Sequence, residues 1–463
     1  MKVVKSIIYI LISIVSVIII IGFSAAYFYG DKIQEIAIEE LNKNLKAKVG
    51  VENVEVSFLQ NLPYVSIILD NVYIKSVNGY NAKSFKNINT DTLLFARKLT
   101  LNFDIYKAVK NEFDLKKLTI SDGKINLLCD EKGKDNYHFW DDRESDETSS
   151  LNINLNSVIL ENIKLAYLDK AGKIETFSQI KNAKLSGQIE SNNIIAKSDI
   201  DAVITSFSNN HEEYISNLIT DSKLDLTITN EKISIHSGNL NLDELKVNLS
   251  GDYIFSSSEF VNFEFSSKII SLDNLYKLIP NSLLSKDIKD NFSGLVSFSG
   301  TINGVKNPIL KLNYAYDNGT IKYNNLDNTI KNISSFGEYS GDLRFSSDNS
   351  TLIINKLNLS LSNNKYINSK INLVNFNRAR IKGELDINID LEILSQLKAL
   401  KENEAISGIL NGNIIFEGLT TDFKTLNTNN LTCSGEVNAQ GIEYGEINAP
   451  PDYKVISSKL SLK

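Results

Sequence analysis

Leu99-Thr100-Leu101-Asn102-Phe103-Asp104-Ile105 alternates apolar and polar side chains at every step. A period of two puts Leu99, Leu101, Phe103 and Ile105 on one face of an extended strand and Thr100, Asn102 and Asp104 on the other. The same pattern recurs along the chain. Val54, Val56 and Phe58 alternate with Glu55 and Ser57. Later come Leu151, Ile153 and Leu155, then Leu224, Leu226 and Ile228, then Ile233 and Ile235, then Leu245, Val247 and Leu249. Val261, Phe263 and Phe265 follow, then Leu357, Leu359 and Leu361, and finally Leu385, Ile387 and Ile389. Clean alternation favours antiparallel meanders with one dry and one wet face, not the continuous Val/Ile runs of a buried parallel sheet. Asp122-Gly123 and Asn318-Gly319 read as turns between such strands.

Ahead of residue 50 the period is different. From Ile7 to Tyr29 the chain is almost continuously apolar, with Ser13, Ser16, Gly22 and Ser24 as mild interruptions. As a helix this run measures about 35 Å, enough to cross a bilayer core of about 30 Å. Ile7, Leu11, Ile18, Ile20, Phe23 and Tyr27 mark this expected anchor. Lys2 and Lys5 precede it, which places residues 1–6 in the cytoplasm and the body outside. A cleaved signal peptide is the competing reading, with Ser24-Ala25-Ala26 as its cleavage site. The apolar run is long for a signal core and continues through Tyr27 and Phe28. Residues 31–48 then predict an amphipathic helix: Ile33, Ile36, Ala37, Leu41 and Leu45 recur at three- and four-residue spacing.

Composition excludes several functions. The chain has 463 residues, a net charge of −7 and scattered basic residues, which argues against a nucleic-acid-binding surface. His138, His211 and His236 are the only histidines, and none stands at zinc-ligand spacing from another or near a cysteine. Neither a phosphate-cradling glycine loop nor a Gly-x-Ser-x-Gly elbow occurs. No enzyme, cofactor or metal is therefore expected. Cys129 and Cys433 are too few for a disulfide framework and read as two unpaired thiols. The acidic stretch 141–150 reads as an exposed loop, since a calcium loop would need a central glycine at the right spacing.

Two helical breaks interrupt the strands. Ser271 caps a run that stops at Pro280, and residues 391–400 repeat its character. After each break comes a similar phrase: Ser293-Gly294 leads to Gly304, and Ser407-Gly408 leads to Gly418. Asn318-Gly319 and Ser434-Gly435 keep nearly the same offset, which reads as a diverged repeat of about 115 residues. The expected organisation is a tail (1–6), an anchor (7–29), an amphipathic helix (31–48), a first β-region (50–140), the acidic loop (141–150), a middle β-region (151–270) and two repeat units (271–380 and 381–463).

The ordered series up to Trp140 resembles the N-terminal region of AsmA-like proteins. It runs from the anchor and helix through Val54-Glu55-Val56-Ser57-Phe58 and Leu62-Pro63-Tyr64-Val65-Ser66-Ile67. It continues through Leu69-Asp70-Asn71-Val72-Tyr73-Ile74 and Leu118-Thr119-Ile120-Ser121-Asp122-Gly123, and closes with Gly133-Lys134-Asp135-Asn136-Tyr137. The resemblance implies an inner-membrane anchor, a periplasmic body, a part in outer-membrane biogenesis, and a long curled antiparallel sheet whose apolar groove carries lipid acyl chains. It implies phospholipid or another envelope lipid as partner, with envelope or outer-membrane proteins beside it, and no catalytic residues. Groove candidates are Val54, Val56, Phe58, Leu99, Leu101, Phe103, Ile105, Val261, Phe263, Phe265, Leu357, Leu359 and Leu361. Family members usually continue further, so this chain reads as a fragment or a short paralogue. The alternatives are a closed barrel or sandwich, which would make the protein an anchored, partner-binding scaffold, and an anchored β-rich surface or adhesion protein.

Overall fold

The computed structural model describes residues 48–57, 64–104, 113–137, 151–189, 193–255, 259–279, 286–305, 307–322, 329–343, 348–361, 365–392, 404–425, 430–446 and 450–462. The expected anchor, nearly all of the amphipathic helix, Phe58, Ile105 and the acidic loop lie outside these residues. What is described is mainly β, with few helices. The chain divides into two compact units, Met1–Ser257 and Ser258–Lys463.

In the first unit the strands are β1 (Val49–Gly50), β2 (Asn53–Ser57), β3 (Tyr64–Lys75), β4 (Thr92–Asp104), β5 (Phe113–Cys129) and β6 (Leu151–Asp169). They continue as β7 (Ile174–Ile189), β8 (Asn193–Asn209), β9 (Glu212–Thr229), β10 (Lys232–Leu242) and β11 (Leu245–Ile254). Both β1 and β2 pair with β3, and from there each strand pairs with the next as far as β11. Among the described residues no pairing returns β11 to β1 or β2, so the sheet is open and not a barrel.

Two expectations are corrected here. The meander is not antiparallel throughout, because β5 and β6 run parallel, from Phe113 beside Leu151 to Cys129 beside Asp169. A parallel neighbour has to start where its predecessor started, and that needs a connection of about a dozen residues or more. Residues 130–150 provide it. The Asp-Gly and Asn-Gly pairs are not turns either. Asp122-Gly123 lies inside β5, where Asp122 has φ of 55°. Asn71 in β3 and Asn162 in β6 are also left-handed, and Asn162 Nδ2 donates to Asp122 Oδ1 at 2.6 Å. Left-handed residues within paired strands make bulges that kink and twist the strand without ending it.

An asparagine closes one end of this sheet. Asn136 is fully buried, and its Nδ2 donates to Asn126 O and Ser76 Oγ, both at 3.0 Å. Its Oδ1 accepts from Leu128 N at 2.9 Å. Its backbone bonds Leu128 O and Val77 N, so one residue ties the end of β5 to the segment after β3. The Gly-x-x-Asn-aromatic phrase is thus a structural latch.

The second unit comprises β12 (Phe260–Ser267), β13 (Ile270–Ser271), helix α1 (Leu272–Leu278), helix α2 (Lys286–Asn291), β14 (Phe292–Val305) and β15 (Ile309–Lys322). After these come β16 (Thr329–Asp342), β17 (Thr351–Ser360), β18 (Tyr366–Val374), β19 (Arg380–Asp390), β20 (Glu404–Leu419), helix α3 (Thr420–Thr425), β21 (Thr432–Glu446) and β22 (Tyr453–Leu462). Both β12 and β13 pair with β14, and an antiparallel meander runs from β14 to β22. Asn318-Gly319 lies inside β15, at a shift of its register with β16.

Ser271 caps α1 as its sequence predicts, accepting from Asn274 N at 3.3 Å. Lys289 of α2 donates to Tyr276 O and Ile279 O, placing an ammonium at the negative end of α1. Of the second expected helix, only Leu391 and Glu392 are described. Gly294 and Gly408 have φ of 147° and 110° and sit at register shifts early in β14 and β20. A side chain there would be strained, which accounts for glycine at both positions.

Candidate apolar binding face

Residues opposite one another in a ladder share a face of the sheet. In the first unit the register aligns Leu69, Leu99, Ile120, Leu160, Ala183, Ile200, Ser222, Leu240 and Val247 across nine strands. One step along, the other face carries Asp70, Lys98, Ser121, Glu161, Asn182, Asp201, Asp221 and Asn241. Burial falls along the apolar row. Leu69, Leu99 and Ile120 are 0% exposed, whereas Leu160, Ala183, Ile200 and Leu240 are half-buried. Leu101 and Leu118 in the next row are also sealed, and Val49, Val51 and Tyr137 join the same cluster.

The second unit has an apolar face of its own. Val296, Tyr316, Ser335, Leu357, Ser369, Leu385, Ile414, Gly435 and Leu462 form one row across nine strands. Beside it runs Phe298, Tyr314, Gly337, Ile354, Ile371, Gly383, Phe416 and Cys433. Most of the large side chains here are half-buried. The polar groups among them are turned to partners in the protein. Tyr314 Oη bonds Ser335 Oγ at 3.1 Å, Tyr316 Oη donates to Ser293 O at 2.7 Å, and Ser369 Oγ donates to Glu384 O at 2.9 Å. The face therefore offers rings and methyl groups more than hydroxyls.

Glycines set the height of this floor. A Cβ on Gly383 would stand 2.5 Å from the Phe416 ring and 2.9 Å from Lys370 O. A Cβ on Gly300 would stand 3.0 Å from the Phe265 ring. Aromatic rings thus lie across the glycines of neighbouring strands, a known way to cover a bare backbone.

Connecting segments overlie the edges of the same face. Phe376, between β18 and β19, leans on Tyr339 with ring centroids 5.9 Å apart. Phe423 of α3 meets Phe416 edge-on at 5.7 Å. At the other strand ends, Tyr276 of α1 is buried, and Leu391 packs with Ile387 and Ile389.

The sequence-predicted groove residues separate into two groups. Leu99, Leu101 and Phe103 are sealed in the first unit's core at 0–1% exposure, and Val54 packs half-buried against it. Val261, Phe263, Phe265, Leu357, Leu359 and Leu361 are half-buried in the second unit. The side chain of Val56, and the whole of Phe58 and Ile105, lie outside the described residues. So do the anchor positions Ile7, Leu11, Ile18, Ile20, Phe23 and Tyr27. Among the described residues no helix is long and apolar enough to cross a membrane. The sequence reading missed Phe376, Phe423 and the glycine–ring pairs, whose signal emerges only once the register is known.

No described group of three or more His, Cys, Asp or Glu residues could hold a metal ion. His211 is exposed, and the exposed His236 shares a hydrogen bond with Thr227 Oγ1 at 2.9 Å. Cys129 is free and buried. Burial pushes its thiol up to about 12, and the Asp169 carboxylate adds to the rise. At pH 8 almost none of it is thiolate, the reactive form. Iodoacetamide is expected to alkylate the half-buried Cys433 at least about tenfold faster, read by peptide mass spectrometry. Equal rates would contradict the described environment of Cys129.

Comparison with protein-family models, curated proteins and solved structures finds no match.

Proposed function

We propose that this chain is an AsmA-like, inner-membrane-anchored periplasmic protein that carries lipid acyl chains along the apolar face of its sheet. Its place is in outer-membrane biogenesis, and it performs no covalent chemistry. The observation that carries the reading is the second unit's apolar face. Its rows cross as many as nine strands, about 38 Å at the usual strand spacing of about 4.8 Å. Over four or five rows the sheet covers roughly 1,000 Å² in projection, and most of its large side chains keep part of their surface open. The described helices reach only its edges. Acyl chains match such a surface because they need contact area and no hydrogen bonds.

A second reading rests on the sealed residues of the first unit. Leu69, Leu99, Leu101 and Leu118 are 0% exposed, as in an ordinary core, and a scaffold with a closed interior would be built the same way throughout. Photocrosslinking distinguishes the two. A photoreactive residue at Leu357 is expected to capture phospholipid, and one at Leu101 only protein. Protein-only products at both positions, with no phospholipid detected by mass spectrometry in the detergent-free protein, would leave the scaffold.

A further inference from the structure

Three lysines on the polar face of the first sheet pair with a carboxylate on the adjacent strand. Lys181 pairs with Asp201 at 3.3 Å, Lys223 with Asp199 at 3.5 Å and Lys232 with Asp252 at 3.8 Å. One corner instead combines unpaired lysines with two exposed aromatic rings. The register places Tyr73, Phe95, Lys124 and Lys164 side by side on β3, β4, β5 and β6. Tyr73 is 44% exposed and Phe95 37%, although each could have faced the core with a shift of one residue. Lys124, Lys164 and the neighbouring exposed Lys75 and Lys48 form no ion pair among the described residues. The nearest carboxylate on these strands is Asp122 at the bulge, which accepts from Asn162 Nδ2, and beyond it Asp70 and Glu161 flank Lys98 and Ser121. The Tyr73 ring lies against Gly50, where a Cβ would collide with it, so the ring is held across the sheet edge.

We propose that this corner docks on the anionic headgroups of the membrane that holds residues 7–29, and so sets the first sheet against the bilayer. The inference rests on the anchor reading. Two observations select the occupant. Four unpaired ammonium groups gather on a chain whose net charge is −7, which complements an anionic surface. Only residues 30–48 separate the anchor from β1, about 29 Å if helical, so the first strands stay within about that distance of the headgroups. Tyrosine and lysine are also side chains that favour this interface, because each joins an apolar body to a polar tip.

The test uses the full chain in vesicles of phosphatidylcholine alone and in vesicles with 30% phosphatidylglycerol. Flotation measures the anchor. Acylation by a water-soluble reagent, read as labelling of Lys124 and Lys164 relative to Lys232, measures docking. Labelling is expected to fall at least about fivefold in the anionic vesicles only, and to recover in 1 M salt, where the screening length shrinks to about 3 Å. Flotation with both vesicles but unchanged labelling overturns docking and keeps the anchor. Salt-sensitive flotation with anionic vesicles alone keeps docking and overturns the anchor, and flotation with neither overturns both. Crosslinks joining these lysines to a second copy or another protein would make the corner a protein interface and overturn docking on lipid.

Discussion

Asn136→Ala is expected to destabilise the first unit by about 2–6 kcal/mol, because it strips partners from two buried backbone groups at about 1–3 kcal/mol each and also from the half-buried Ser76 hydroxyl. Ser76 Oγ, Asn126 O and Leu128 N all bond the Asn136 side chain, which is fully buried. No shorter side chain can restore the set. Aspartate would keep the acceptor for Leu128 N but lose both donors and bury a carboxylate, so Asn136→Asp should be no milder. The effect should begin locally, with faster amide hydrogen exchange at Leu128 and Val77, whose N–H groups bond Asn136. Asn241→Ala, which removes one exposed 3.5 Å contact to Asp221, is the control and should stay within about 0.5 kcal/mol. Urea unfolding followed by circular dichroism gives the comparison. A loss below about 1 kcal/mol for Asn136→Ala would mean that the latch is not structural.

The strands were legible in the sequence because a half-buried sheet enforces a period of two, and Leu99 to Asp104 obeys it from end to end. Ser271 was legible as a cap because its hydroxyl satisfies a helix N–H that no backbone group reaches. Asp122-Gly123 misled because the local signal of a hairpin turn and that of a bulge are the same: both need a left-handed residue. Only the neighbouring strands, bent at Asn71 and Asn162, decide between them. The parallel pairing of β5 with β6 was hidden for a similar reason, since direction depends on the path of residues 130–150 and not on the strands' own residues. As for the candidate site, alternation showed which residues share a face but not how far that face is covered. Leu101 and Leu357 look alike in sequence, yet one is sealed and the other half-open.

That difference gives the most decisive pair of substitutions. Leu101→Asp is expected to prevent the first unit from folding, at a cost above about 5 kcal/mol, because a carboxylate would be forced among Ile67, Leu99 and Leu118 without water. Leu357→Asp should cost only about 1–2 kcal/mol if its face is open, the order of the apolar burial lost. There the carboxylate lies between Ser335 and Ser369 on the neighbouring strands and can reach solvent. Bound phospholipid per chain should nevertheless fall about tenfold, since a charge midway along the row must be desolvated whenever an acyl chain covers it. Circular dichroism melts and lipid mass spectrometry on the same preparations separate the outcomes. If Leu357→Asp unfolds the protein as Leu101→Asp does, the second unit's face is a closed core and the carrier reading fails. Should it fold and keep its lipid, the acyl chains lie elsewhere. Folding retained with lipid lost is the result an open, lipid-covered face requires, because only such a face tolerates a charge in the empty protein and rejects it in the loaded one.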